Sequence, residues 1–153
     1  MVTFVRLLLV LVAFAFLSIE TSSETLSNHS ENVLTMLVDP WFATLQAHDI
    51  DGWIELHSNS VVWHFPETGG ELTGHQSLRR AIQNFITKHP DIRFDKTRVF
   101  SQGNRICLEW TEVGTDQETG DRISYYFCGI LIVDGGKISE VHRYGGKRTI
   151  ENQ

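Results

Sequence analysis

The chain has 153 residues, 41% hydrophobic and 21% charged, which is enough to bury one core and makes a single domain the default. Its formal net charge of -6, with no run of Lys and Arg, removes the attraction that nucleic acid or an anionic membrane surface needs. Neither is an expected partner.

The amino terminus reads as a targeting segment. Arg6 gives a basic start, and Leu7 to Leu17 is an apolar run without a charge. A bilayer span needs about 20 apolar residues and a secretory core roughly 7 to 15, so a cleaved signal peptide is favoured over an anchor. Small residues at Ser18, Thr21, Ser22 and Ser23 place cleavage between residues 18 and 24. The expected organisation is a signal peptide over 1–23, a polar linker over 24–32, one domain over 33–147 and a polar tail over 148–153. The expected protein is therefore secreted and has no membrane attachment after cleavage. Asn28-His29-Ser30 in the linker is a glycosylation sequon, used only in a eukaryotic secretory pathway.

From Val33 the periodicity becomes helical, with Leu34, Leu37, Val38, Trp41, Phe42 and Leu45 on one face. Pro40 either kinks this helix or opens its main part, with Asp39 as the cap and Pro40 at the first helical position. Asp49 or Asp51 then caps a second short helix that carries Trp53, Ile54 and Leu56 inward. The Asp-Ile-Asp-Gly run lacks the third acidic ligand and distal Glu of a calcium loop, so capping is its expected role. Ser60 to Phe65 reads as a strand ended by Pro66, and Glu67 to Leu72 as a loop. Thr73-Gly74-His75-Gln76 has the form of a capping box for a third helix, whose apolar stripe is Leu78, Ala81, Ile82, Phe85 and Ile86.

After His89-Pro90 the pattern is all strand: Ile92 to Phe100, Arg105 to Val113, Arg122 to Val133 and Lys137 to Tyr144. Helices followed by an antiparallel meander make an α+β fold. A hairpin with Val113 facing Arg122 sets Cys107 opposite Cys128, close enough for a disulfide in an oxidising compartment. The alternative is a pair of buried thiols. The same register puts Ile106, Leu108, Trp110, Tyr125, Phe127, Leu131 and Val133 on one face, and Cys107, Glu109, Thr111, Ser124, Tyr126 and Cys128 on the other. Whether the apolar face lines a cavity or meets a second subunit stays open.

Four pieces in this order resemble the SnoaL-like branch of the nuclear-transport-factor-2-like superfamily, which includes ketosteroid isomerase. They are Ala47-His48-Asp49-Ile50-Asp51-Gly52, Val61-Val62-Trp63-His64-Phe65-Pro66, Thr73-Gly74 and Asp134-Gly135-Gly136-Lys137-Ile138. The resemblance covers Val33 to Gly146. It implies a cone: a curved, mostly antiparallel sheet wrapped around amino-terminal helices, with a deep apolar pocket, often in a homodimer. It also implies a lipophilic small molecule as partner. The isomerase residues do not carry over. Phe65 stands at the place of the general base, Trp41 at that of the oxyanion-binding Tyr, and Cys128 at that of the assisting Asp.

Two candidate proton-transfer sets follow. His64 belongs to the Trp-His-x-Pro pattern of SnoaL-like sequences, and an imidazole beside an apolar pocket titrates near neutral pH. If Trp63 points inward, however, His64 points outward and is a solvated histidine. His142 shares a strand face with Glu140 and Tyr144, which form either a catalytic set or an exposed polar edge. Trp41, Trp53, Trp63, Trp110 and Tyr144 are the candidate ligand contacts, since aromatic walls suit a flat ligand. No spacing reads as a zinc site and no phosphate loop appears, so neither metal nor cofactor is expected. The chain is expected to be an exported acid/base enzyme acting on a lipophilic molecule, or else a secreted module that only binds one.

Overall fold

The computed structural model describes residues 34–146 and 149–151. The expected signal peptide, the expected linker and Asn28 lie outside the described residues. A π-helical turn, Leu34–Val38, runs directly into α1, Asp39–Gln46. Then come α2, Ile50–Glu55, β1, His57–Phe65, β2, Gly70–Thr73, and α3, Gly74–Lys88. The meander follows as β3, Arg93–Gln102, β4, Arg105–Thr115, β5, Arg122–Asp134, and β6, Lys137–Gly145. A last strand, β7, Thr149–Glu151, lies within the stretch expected to be a polar tail.

Among the described residues, seven strands form one sheet in the order β2-β1-β6-β5-β4-β3, with β7 added to the start of β5 at Arg122 to Ser124. Only β1 and β6 run parallel; the other pairs are antiparallel. The sheet is curved and unclosed, an α+β cone as expected. Register shifts interrupt β1 between His57 and Val62, β3 between Lys96 and Arg98, and β5 between Ile132 and Val133. Such bulges bend strands and increase their twist. The core holds Trp41, Trp53, Trp63, Trp110, Leu108 and Ile138 between the helices and one sheet face.

Four local expectations are corrected. Asp39 does not cap α1: the N-cap is Val38, already helical at φ -71° and ψ -46°, so no free N–H groups wait for a side chain. Asp39 instead accepts from Lys96 Nζ at 2.6 Å. The presumed loop Glu67 to Leu72 contains most of β2, because a turn at Pro66–Gly69 folds Gly70 back opposite Phe65. Thr73 does precede α3, but its hydroxyl donates to Glu71 Oε1 (3.1 Å) rather than serving the helix, since Thr73 is still extended and Gly74 turns at φ +74°.

The fourth correction is the register of β4 and β5, which is two residues away from expectation. Thr115 faces Arg122, Glu109 faces Cys128, and Cys107 faces Ile130. The hairpin closes later because Asp91 takes both the N–H and the hydroxyl of Thr115 (2.7 and 2.8 Å), holding β4 extended to that point. Cys107 and Cys128 are thus diagonal free thiols with sulfurs 3.9 Å apart. A slip of two leaves every side chain on its expected face. Asp49 caps α2 as expected, accepting from the Gly52 N–H at 2.9 Å.

Candidate functional site

The concave face of the sheet and the three helices enclose a cavity of about 200 Å³. α3 supplies one wall through Leu78, Ala81, Ile82 and Phe85, the stripe read from its period. All four tryptophans of the chain line the cavity: Trp41 from α1, Trp53 from α2, Trp63 from β1 and Trp110 from β4. They form a chain of ring contacts, with Trp110 to Trp41 at 5.6 Å, Trp41 to Trp53 at 5.9 Å and Trp53 to Trp63 at 5.7 Å between centroids. Trp110 Nε1 donates to Glu112 Oε1 at 2.9 Å. The Nε1 groups of Trp41, Trp53 and Trp63 are buried and find no acceptor among the described residues. A buried donor left unpaired costs about 1–3 kcal/mol, so three around one small hollow are an expensive arrangement without a ligand acceptor.

Two ionisable groups also line this cavity, and neither was singled out from the sequence. Glu112 is 5% exposed, and burial raises its pKa against the opposing effects of the Trp110 hydrogen bond and the Arg143 charge. Its carboxyl is thereby made a better proton holder than an ordinary glutamate. Arg143 stacks on two rings, its guanidinium carbon 4.4 Å from the Phe127 centroid and 4.8 Å from that of Phe65. Burial lowers its pKa, while Glu112 and Glu67 favour its charge. His57, at the start of β1, is buried against Trp53 and Trp63 with ring centroids 4.6 and 6.0 Å away. Its Nδ1 donates to the Trp53 carbonyl (3.0 Å), and burial lowers its pKa to about 4.

The expected proton carriers lie elsewhere. Trp63 and Val141 face inward, and alternation sends His64, Glu140, His142 and Tyr144 to the outer face, where none of them lines the cavity. There His64 Nε2 lies 3.2 Å from Glu140 Oε1, and His142 Nε2 lies 2.7 Å from the same oxygen. The two imidazoles stack at 4.6 Å, and Glu71 Oε2 stands 3.4 Å from His64 Nδ1. Tyr144 instead borders a shallow outer groove with Thr97, Tyr126 and Cys128. Glu140 therefore lies between both histidines, hydrogen-bonded to His142, on the face away from the cavity.

The SnoaL-like domain family matches residues 38–141, most of the described chain. The chain belongs to the SnoaL-like domain family. Among solved structures, the SnoaL-like chain is similar to a hypothetical protein with a ketosteroid isomerase-like fold from Catenulispora acidiphila DSM 44928, in complex with trimethylamine. That likeness has 14% identity and a TM-score of 0.64, over 71% of this chain and 83% of that one. TerC, co-crystallized with polyporic acid, gives 19% identity and a TM-score of 0.65 over 74% and 91% of the two chains. A SnoaL-like protein from Burkholderia thailandensis E264 gives 10% and 0.62 over 77% and 98%. These likenesses establish the nuclear-transport-factor-2-like cone. No curated protein matches the sequence.

Of the places where ketosteroid isomerase keeps its catalytic groups, Phe65 and Trp41 line the cavity of this SnoaL-like chain, whereas Cys128 lies on the outer face. The cavity carboxyl comes from Glu112 on β4 instead. Its signal was present in the sequence: Glu112 is two residues from Trp110, and Arg143 two from Val141, on strands whose alternate positions are apolar. A charge in the core-facing phase of a strand stands out against that pattern.

Proposed function

We propose that the cavity binds a small, flat, largely apolar molecule carrying a carbonyl or similar acceptor, and that Glu112 exchanges a proton with it. The observation that carries this reading is the set of three buried indole N–H groups without an acceptor among the described residues, on tryptophans that line the same cavity as the buried Glu112. Indole donors aimed at an acceptor stabilise negative charge that develops on it, and a carboxyl whose pKa burial raises is suited to passing a proton to such an acceptor. About 200 Å³ suits one or two rings rather than a large polycycle, given that a 150 Å³ cavity holds benzene. Complexes of similar folds with trimethylamine and with polyporic acid support small-molecule binding in general terms.

Because all four tryptophans line the cavity, intrinsic fluorescence reports its occupant. Small aromatic ketones and quinones should quench it saturably. Ala81→Phe, which fills the hollow, should abolish that response. Glu112→Gln keeps an acceptor for the Trp110 N–H and should retain binding while losing turnover. Failure of every such compound to quench would remove the binding reading. Unchanged turnover in Glu112→Gln would leave a module that binds without reacting, which is the second reading.

Export belongs to the same proposal and rests on the apolar run Leu7 to Leu17; a mature protein beginning at Met1 would remove it. An oxidising compartment would also allow the Cys107 and Cys128 sulfurs, 3.9 Å apart, to close a diagonal cross-strand bridge.

A further inference from the structure

The outer face of β1 and β6 carries a second constellation that the cavity does not use. His64, Glu140 and His142 each present one ligand atom, and these atoms lie within 4.8 Å of one another. The scaffold beneath them is well determined. β1 and β6 pair in parallel with His64 beside His142 and Val62 beside Glu140, and the inward Trp63 and Val141 are buried in the core. Those buried neighbours fix the rotation of both strands, so the three Cβ positions are set before any ligand arrives.

The side chains converge on a point that calls for positive charge. His64 has a carboxylate at each ring nitrogen, Glu71 at Nδ1 (3.4 Å) and Glu140 at Nε2 (3.2 Å). A neutral imidazole carries one N–H, so it satisfies one carboxylate and turns a lone pair on the other. If Nδ1–H serves Glu71, the Nε2 lone pair, the His142 ring and Glu140 Oε1 surround one spot, which a proton or a metal ion would fill. A carboxylate behind the far nitrogen of an imidazole is the usual outer support of a metal-bound histidine, since it fixes the tautomer and raises ligand basicity.

We propose that His64, His142 and Glu140 form a binding site for a late first-row divalent cation such as zinc, separate from the cavity, with Glu71 orienting His64. Two imidazoles and one carboxylate prefer zinc, copper or nickel to magnesium or calcium. Tetrahedral bonds of about 2.0–2.1 Å put donor atoms roughly 3.4 Å apart, so closure asks for side-chain movements of about 1 Å. Side chains about one-third exposed can make that movement. The same exposure leaves a coordination position open to water or to an external ligand.

The test is zinc titration of the untagged protein by calorimetry, with metal content measured after gel filtration. One zinc per chain is expected, displaced by neither magnesium nor calcium. His64→Gln, His142→Gln and Glu140→Gln should each weaken binding by about 100-fold or more, and Glu71→Gln by about 10-fold. His48→Asn, a histidine elsewhere on the chain, should bind as the parent does, and so should Glu112→Gln, which keeps this result independent of the cavity. Failure to retain zinc, equal competition by magnesium, or undiminished binding by the His64→Gln/His142→Gln double variant would each overturn the assignment. The substituted positions face outward, so thermal melts of the variants should match the parent; a large loss in melting temperature would assign the cluster to folding instead.

Discussion

Burial acts on His57 and Glu112 in opposite directions, and the signs can be worked out separately. His57 titrates at 6.5 when unfolded and at about 4 when folded. Its neutral form is worth most above pH 6.5, and that stability is lost as pH falls towards 4. At about 1.4 kcal/mol per unit the loss amounts to roughly 3 kcal/mol. The cause is local: with Nδ1–H given to the Trp53 carbonyl, protonation would put a second N–H where Nε2 has no partner. Glu112 has a raised pKa, so its contribution is whole below the unfolded value of 4.5 and is lost as pH rises through the folded one. Urea unfolding between pH 4 and 8 separates the two. His57→Gln should flatten the acid limb, and Glu112→Gln should gain stability relative to the parent as pH rises. An acid limb unchanged in His57→Gln would refute the first, and a constant difference across the range would refute the second.

At the scale of elements, β5 is shaped to leave room for Trp110. Gly129 faces inward between Phe127 and Leu131, and a Cβ there would stand 3.0 Å from Cζ3 of Trp110 and 3.2 Å from Cη2. The indole therefore lies across a glycine, and from that position its Nε1 reaches Glu112. Gly129→Val should push the ring towards the cavity, cost about 1–3 kcal/mol, and reduce fluorescence quenching by cavity ligands. Parent-like stability and quenching would mean that Trp110 has slack which the packing does not suggest. This dependence was not legible in the sequence, where Gly129 is one glycine in an apolar strand. Element types were legible because periodicity and turn chemistry are local. The exact pairing of β4 with β5 was not, because it depends on Asp91 reaching Thr115 from the loop before β3. Parity survives a slip of two, so the faces are legible while the placement of Cys107 directly opposite Cys128 is not. The same parity makes Glu112 and Arg143 legible as charges in the core-facing phase of their strands, and it sets His64 and His142 on the outer face.

The whole molecule is a sheet whose two faces have different work. Its concave side is spent on the core and the cavity, yet its outer side is not polar throughout. Phe100 and Tyr126 are each 58% exposed, with Ile130 and Tyr144 beside them at 36% and 39%. Register sets them around the two cysteines: Phe100 and Ile130 flank Cys107, while Tyr144 pairs with Cys128, two residues from Tyr126. An exposed aromatic and aliphatic patch on adjacent strands is the kind of surface that two copies of a chain bury against each other. The chain is therefore expected to be a homodimer through the outer faces of β3 to β5 and the Tyr144 end of β6. Sedimentation should give twice the chain mass, and Tyr126→Glu or Ile130→Glu should halve it. Both positions lie outside the core, so the monomers should keep their near-ultraviolet tryptophan signal. If the unsubstituted protein sediments as a monomer, the patch is not a self-contact. If the Glu variants stay dimeric, the two copies meet elsewhere.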